Sequence, residues 1–300
     1  MSPWTEADIP DQTGRTVLVT GANSGLGLRT AQVLAGKGAH VLMGCRSVQR
    51  GEDARLSVPG SAEVLELDLA DLSSVRAAAE KVAGKVEKLD VLVNNAGIMA
   101  VPNGRTADGF ERQFGTNHLG HAALTFLLLP VLRRSTDARV VTVSSLMHQY
   151  GRMNLDDPNW ERRSYSARGA YSQSKLANLL FMRELQRRSP DVMSMAAHPG
   201  MTATDLANNM ADAHRSAVMR AGGKLFGLFS QSVEMGTLPQ LFAATSPDAH
   251  GGAYYGPGGF NGLWGHPAAS GMTAAARDDL AANRLWELTI KLTGIAPDLP

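Results

Sequence analysis

The chain has 300 residues, with 29 basic against 28 acidic side chains and a net charge of +1, so it lacks the basic excess of a nucleic-acid binder. A chain this long buries roughly 75% of the surface it exposes when unfolded and needs no staples. Cys45 is the single cysteine, which excludes an intrachain disulfide and suits a reducing compartment, read here as the cytoplasm. The stretch 1–15 carries acidic residues and two prolines but no apolar h-region; it reads as a short arm before the first strand, not as a secretory signal.

Thr16, Val17, Leu18 and Val19 form a continuous β-branched and apolar run, the pattern of a strand buried on both faces of a parallel sheet. "TGANSGLG" follows at 20–27, and Leu28, Ala31, Val33 and Leu34 then recur at near-helical spacing. Gly21, Gly25 and Gly27 therefore stand at a strand-to-helix turn. Glycine there admits positive φ and a close ligand, while the free N–H groups of the helix favour an anion such as pyrophosphate. The spacing G-x3-G-x-G is not the general dinucleotide fingerprint, and an ordinary tight turn would read the same.

Further strands are predicted at 40–45, 63–69, 90–95, 139–145 and 192–197, with a short last one at 252–256. Helix-like segments separate them, so the expectation is an α/β fold: a single doubly wound, Rossmann-like parallel sheet in one domain over 1–300. The most apolar run, 122–132, contains Pro130 and falls short of the ~20 residues that span a bilayer, so no membrane span is predicted. Gly21, Arg46, Asp68, the run 94–97, Ser144 with Ser145, and the run 198–200 all lie at or just past strand carboxyl ends. Ligands bind at that edge of open α/β sheets, so the glycines read as lining a nucleotide site.

Among five tyrosines only Tyr171 has a lysine four residues on, Lys175 in "YSQSK", and an i,i+4 pair shares one helix face. A free phenol has a pKa of about 10; a nearby cation lowers it toward useful proton exchange. A hydroxyl such as Ser145 can hold a substrate carbonyl against that phenol. Each feature alone has an ordinary structural alternative, a surface pair or a turn cap. His118 and His121 lie three apart, but HExxH is absent and packing is the expected role; G-x-S-x-G and P-loop signatures are also absent.

Taken together, "TGANSGLG", "NNAG", Asn117, "VSS", "YSQSK" and "HPGMTAT" resemble the short-chain dehydrogenase/reductase family over about residues 14–205. "NHLGHAALT" and "SKLANLLF" are similar to its retinol-dehydrogenase-like and protochlorophyllide-reductase-like members. The resemblance implies an NAD(P)-dependent oxidoreductase moving a hydride between nicotinamide and a carbonyl or alcohol. Tyr171 would then be the proton donor or acceptor and Ser145 the carbonyl-orienting hydroxyl. Lys175 would lower the tyrosine pKa and bind the nicotinamide ribose, and Asn117 would anchor a water-mediated relay. Ser145 and Tyr171 are 26 apart, farther than is usual in the family, which makes Ser144 a rival. Cofactor contacts would come from Gly21, Asn23, Ser24, Gly25, Leu26, Gly27, Arg46, Asp68, Leu69, Asn95, Ala96, Gly97, Tyr171, Lys175, Pro199, Gly200 and Thr202, and no metal is expected.

Cys45 occupies the place that often carries an aspartate in NAD-preferring relatives, and Arg46 follows. A guanidinium without that carboxylate favours NADP(H), with NAD(H) also usable; the alternative is a solvated or adenine-stacking arginine. Asp68 resembles the family's adenine contact, and Asp71 reads as a helix cap. A lid is expected at 201–235: Leu206, Met210, Val218, Met219, Leu225, Phe226 and Phe229 are mixed with Gly222, Gly223 and Gly227 between Met201 and Phe229, and thioethers suit an adaptable apolar wall; the alternative is a plain surface helix pair whose apolar side joins the core. Leu176, Leu179, Leu180 and Phe181 are candidates for both core and a homo-oligomer contact. The competing functions are an NADP-binding redox sensor without turnover and double-bond reduction of the protochlorophyllide type.

Overall fold

A computed structural model describes residues 3–202 and 230–299. Eight strands form one sheet: β1 (Thr16–Thr20), β2 (His40–Cys45), β3 (Ser61–Glu66), β4 (Val91–Asn94), β5 (Arg139–Val143), β6 (Met193–Ala197), β7 (Tyr254–Pro257) and β8 (Pro267–Ala269), in the order β3-β2-β1-β4-β5-β6-β7-β8. The first seven are mutually parallel and β8 pairs antiparallel with β7. From β1 the chain builds outward through β2 and β3, then returns to place β4 on the other side. That reversal opens a crevice at the carboxyl ends of β1 and β4, the place where doubly wound sheets take ligands.

Strand periodicity sets the two cores. Val17 and Val19 face one side with Val41, Met43, Val91 and Val93, packed on Leu34 and Leu241. Leu18, Leu42 and Leu92 face the other, against Val75, Leu124, Phe126 and Phe181. The helices behind these contacts are α1 (Gly25–Gly36), α2 (Val48–Arg55), α3 (Leu72–Lys85), α4 (Arg112–Phe114), α5 (Gly120–Leu132), α6 (Ala167–Arg188), α7 (Val233–Thr245) and α8 (Asp279–Thr293). The apolar run 122–132 lies in α5, where nearly every side chain is buried, Pro130 excepted. No helix among the described residues is long and apolar enough to cross a membrane.

The predicted doubly wound sheet is present, with shifted ends. The third strand begins at Ser61 and stops at Glu66, where its register with β2 runs out opposite Cys45. Beyond it, Asp68 Oδ1 accepts from Ala70 N at 2.9 Å, and the Asp71 carboxylate caps α3 by accepting from the N–H of Ser73 (2.8 Å) and Ser74 (3.4 Å). The β8 strand is too short and too exposed to announce itself by alternation. Leu176, Leu179, Leu180 and Phe181 are all buried within this chain and belong to its core. Most of the expected lid, residues 203–229, lies outside the described residues. Its flanks meet where Gln231 N donates to Met201 O at 2.8 Å.

Candidate active site

The turn after β1 needs its glycines for two separate reasons. Gly21 and Gly25 adopt φ of 67° and 53°, where L side chains are strained. At Gly27 a Cβ would lie 2.3 Å from the Gly21 carbonyl oxygen and 2.5 Å from Asn95 Nδ2, so the helix approaches the turn closer than any side chain permits. Gly21 N donates to Gly44 O at 2.7 Å, tying the turn to β2. Asn23 and Leu26 are partly exposed in this turn. Ser24 precedes α1 and makes no side-chain cap bond, so the first N–H groups of the helix keep their capacity for an anion.

Thr20, which sequence reasoning passed over, joins this turn to "NNAG". Its hydroxyl oxygen accepts from Asn95 N and Ala96 N, both at 2.9 Å, and its carbonyl accepts from Asn95 Nδ2 at 2.8 Å. Having accepted twice, the hydroxyl has its proton available for His121 Nε2, 2.9 Å away, while His121 Nδ1–H donates to the Asn117 carbonyl at 3.0 Å. Burial holds His121 neutral, its pKa pulled down to about 4. His118 is buried too and pairs with Thr289 Oγ1 at 2.9 Å. Both rings are thus part of the packing.

Asn117 sits in a π-helical turn, Gly115–Leu119, between α4 and α5; such turns often mark functional positions. Its Oδ1 accepts from Ile98 N at 2.9 Å, and its Nδ2 donates to Ile98 O at 2.9 Å and Ser174 Oγ at 3.0 Å. A Cβ on Gly97 would lie 3.4 Å from Asn117 Oδ1 and 3.5 Å from Lys175 Nζ. Gly97, Asn117 and Lys175 therefore meet at one point. Gly120, which opens α5, approaches Leu69 so closely that the Leu69 carbonyl oxygen would be 2.3 Å from an added Cβ.

Tyr171 and Lys175 lie one turn apart on α6, capped by Ser166, and both are buried. Ser145 follows β5; its hydroxyl stands beside the Tyr171 phenol, near enough to lower its pKa, and accepts from Met147 N at 3.2 Å. Ser144 is spent elsewhere, its hydroxyl donating to the Lys175 carbonyl at 2.8 Å. Lys175 Nζ donates to Val143 O at 3.0 Å and stands 5.7 Å from the Tyr171 ring centroid. Burial pulls the lysine pKa down to about 8 and pushes the tyrosine up to about 12, with only the Ser145 hydroxyl opposing the latter. The lysine-induced lowering implied by the resemblance is not seen in the chain alone, where burial sets the phenol's direction. The extra residues between Ser145 and Tyr171 form a turn, Leu146–Tyr150, and a loop pinned by Asp157, which accepts from Glu161 N at 2.7 Å. The turn packs back on α6, where a Cβ on Gly151 would lie 2.6 Å from the Ser172 carbonyl oxygen.

Arg46 is exposed at the end of β2, beside buried Cys45. Asp68 and Leu69 follow β3, and the Asp68 carboxylate closes its own turn. After β6, Gly200 has φ of 64°, Thr202 Oγ1 donates to Pro199 O at 2.6 Å, and Gln231 Nε2 reaches the same carbonyl at 2.7 Å. Gln231 was not anticipated; it holds the Pro199 turn from the far side of 203–229.

The short chain dehydrogenase family profile matches residues 15–215. Human retinol dehydrogenase 13 is 38% identical over 299 residues, covering 97% of this chain and 87% of its own, and human retinol dehydrogenase 14 is 40% identical, covering 94% and 87%. Among solved structures, an uncharacterized protein from Mycobacterium paratuberculosis is 47% identical, with 98% of each chain covered and a TM-score of 0.81. The chain belongs to the short-chain dehydrogenase family, in its retinol-dehydrogenase-like branch, and is an NAD(P)-dependent oxidoreductase acting on an alcohol or carbonyl.

Proposed function

We propose that this protein is an NADPH-preferring reductase of apolar aldehydes or ketones, also able to run as an alcohol dehydrogenase, built as one catalytic domain over 1–300. The observation that carries it is the convergence of the Ser145 hydroxyl on the Tyr171 phenol, with Lys175 one helical turn behind it and Asn117 against Gly97. Bound NADPH supplies the hydride. The glycine turn fits its pyrophosphate, since a Cβ on Gly25 would stand in open space and Ser24 leaves the first N–H groups of α1 uncapped, and Asn23, Ser24, Leu26, Asn95 and Ala96 would line the same crevice with Gly21 and Gly27. Arg46 pairs with the 2′-phosphate, and no carboxylate at Cys45 repels it. Asp68 and Leu69 flank the adenine; Pro199, Gly200 and Thr202 border the nicotinamide side.

In reduction, Ser145 donates a hydrogen bond to the substrate carbonyl oxygen and holds it against Tyr171. A phenol held protonated by burial is a donor at neutral pH, placed to give its proton to that oxygen. Lys175 binds the nicotinamide ribose and stabilises the phenolate left behind; Asn117 anchors the relay that returns the proton. The names of the relatives make a retinoid the first substrate to try. The single buried thiol fits a reducing compartment, and the cytoplasm is our proposal. The test is cofactor fluorescence during incubation with all-trans-retinal, decanal and benzaldehyde, and with the matching alcohols, using NADPH and NADH in turn. Faster turnover of the apolar aldehydes with NADPH is expected. Tight NADPH binding with no turnover of any of them would favour a redox sensor.

A further inference from the structure

Ser145 is held from behind by a residue that has no part in the scheme above. Its carbonyl oxygen accepts two bonds from His148, one from the backbone N–H at 3.0 Å and one from ring Nδ1 at 2.8 Å. A carbonyl only accepts, so Nδ1 carries the proton and Nε2 is a lone pair. The ring is fully buried, and burial lowers its pKa and keeps it neutral. Nε2 has no hydrogen-bond partner among the described residues. One bond, to the Ser145 carbonyl, therefore defines how this imidazole is used.

Packing fixes its orientation. Tyr254 of β7, also buried, stands edge-on to the imidazole at 86°, with centroids 5.5 Å apart. Its hydroxyl closes no hydrogen bond of good geometry among the described residues, although Ser144 and Tyr171 are near enough to influence it. His198, on Tyr254 as well at 5.0 Å, uses both nitrogens: Nδ1 accepts from Gly200 N at 3.2 Å, which leaves Nε2–H to donate to Ser270 Oγ at 3.0 Å. The two imidazoles are therefore opposite tautomers with separate duties, one on the Gly200 turn and one on Ser145.

We infer that His148 is a positioning residue for Ser145: its Nδ1–H clamps the Ser145 carbonyl and so aims the hydroxyl that stands beside the Tyr171 phenol, while the Tyr254 ring keeps the imidazole in place. The inference rests on the role proposed above for Ser145. Because the backbone N–H of residue 148 bonds the same carbonyl, the turn itself survives a change of side chain, and what is lost is aim. Misplacement by about 1 Å near reacting groups can cost on the order of 10²-fold in rate.

Asparagine places an amide N–H where Nδ1 stands, and glutamine places one where Nε2 stands, so the two variants differ in position while sharing chemistry. His148→Asn is expected to stay within about 3-fold of the wild-type kcat and His148→Gln to fall at least about 10-fold, measured with the fastest aldehyde of the panel, with the NADPH dissociation constant unchanged in both. Equal kcat in the two variants, or losses that follow NADPH affinity, would overturn the inference. Ser145→Ala, measured alongside, separates the two levels. If it loses kcat while His148→Gln does not, only the role of His148 falls; if it keeps full kcat, the role of Ser145 falls and the inference goes with it.

Discussion

Tyr171 and Lys175 are both buried, and burial moves them in opposite directions, the phenol up to about 12 and the ammonium down to about 8. The phenol is thus held protonated, while the lysine is brought near the point where it can exchange a proton. Geometry separates the two neighbouring serines in the same way: Ser145 meets the phenol and Ser144 is tied to the Lys175 carbonyl. Arg46 offers the sharpest test at this scale. A charge-assisted contact to the 2′-phosphate is worth roughly 1.5 to 3 kcal/mol. Arg46→Ala should then weaken NADPH by about 10- to 150-fold and leave NADH nearly unchanged, as titrated by cofactor fluorescence. Equal losses for both cofactors would show that the arginine does not read the phosphate.

Between β1 and α1 the decisive contacts are backbone against backbone, which is why glycine spacing was legible while its use was not. Gly21 and Gly25 supply positive φ, and Gly27 supplies proximity to Gly21 and Asn95; a pattern of letters cannot tell these apart. Thr20 was missed for the same reason, since a hydroxyl that knots two strand ends has no sequence period. Gly27→Ala should cost about 1 to 3 kcal/mol by overpacking the turn. It should also weaken NADPH at least about 10-fold by moving the helix end off the pyrophosphate. Urea unfolding and cofactor titration measure the two effects; full stability and full affinity would mean that the contact is not tight. The helix start at α3 behaves differently, because the Asp71 carboxylate is spent on the N–H groups of its own helix, Ser73 and Ser74. Asp71→Ala should cost about 1 kcal/mol of stability with kcat unchanged, and a fall in kcat would place α3 closer to the chemistry than this fold does.

Across the whole molecule, alternating apolar runs were enough to read the order of strands and helices, because the central strands β1, β4 and β5 are buried on both faces. Strand ends were less legible: β3 stops where its only neighbour stops, and β8 exists only by pairing with β7. Bringing Asn117, Ser145, Tyr171 and Lys175 into one site also tensions the fold against its function. The folded pKa of Lys175, about 8, lies below its ordinary 10.5, so between those values the unfolded chain binds more protons and stability rises with pH. Below about pH 8 the cost of the buried ammonium is at its full size, at most about 3 kcal/mol. Lys175→Met should therefore raise the Tm of the cofactor-free protein by a few degrees at pH 7 and progressively less toward pH 10.5, since Asn178 Nδ2 still satisfies the Val143 carbonyl at 3.1 Å. A lower Tm at pH 7 would mean that the lysine stabilises the fold. The central claim, that Tyr171 moves the proton of a hydride-transfer reaction, is tested most directly by Tyr171→Phe, measured for NADPH binding and for single-turnover reduction of the fastest aldehyde. The account predicts an unchanged dissociation constant and a rate at least about 10²-fold lower; a variant that reduces the aldehyde at close to the wild-type rate would contradict it.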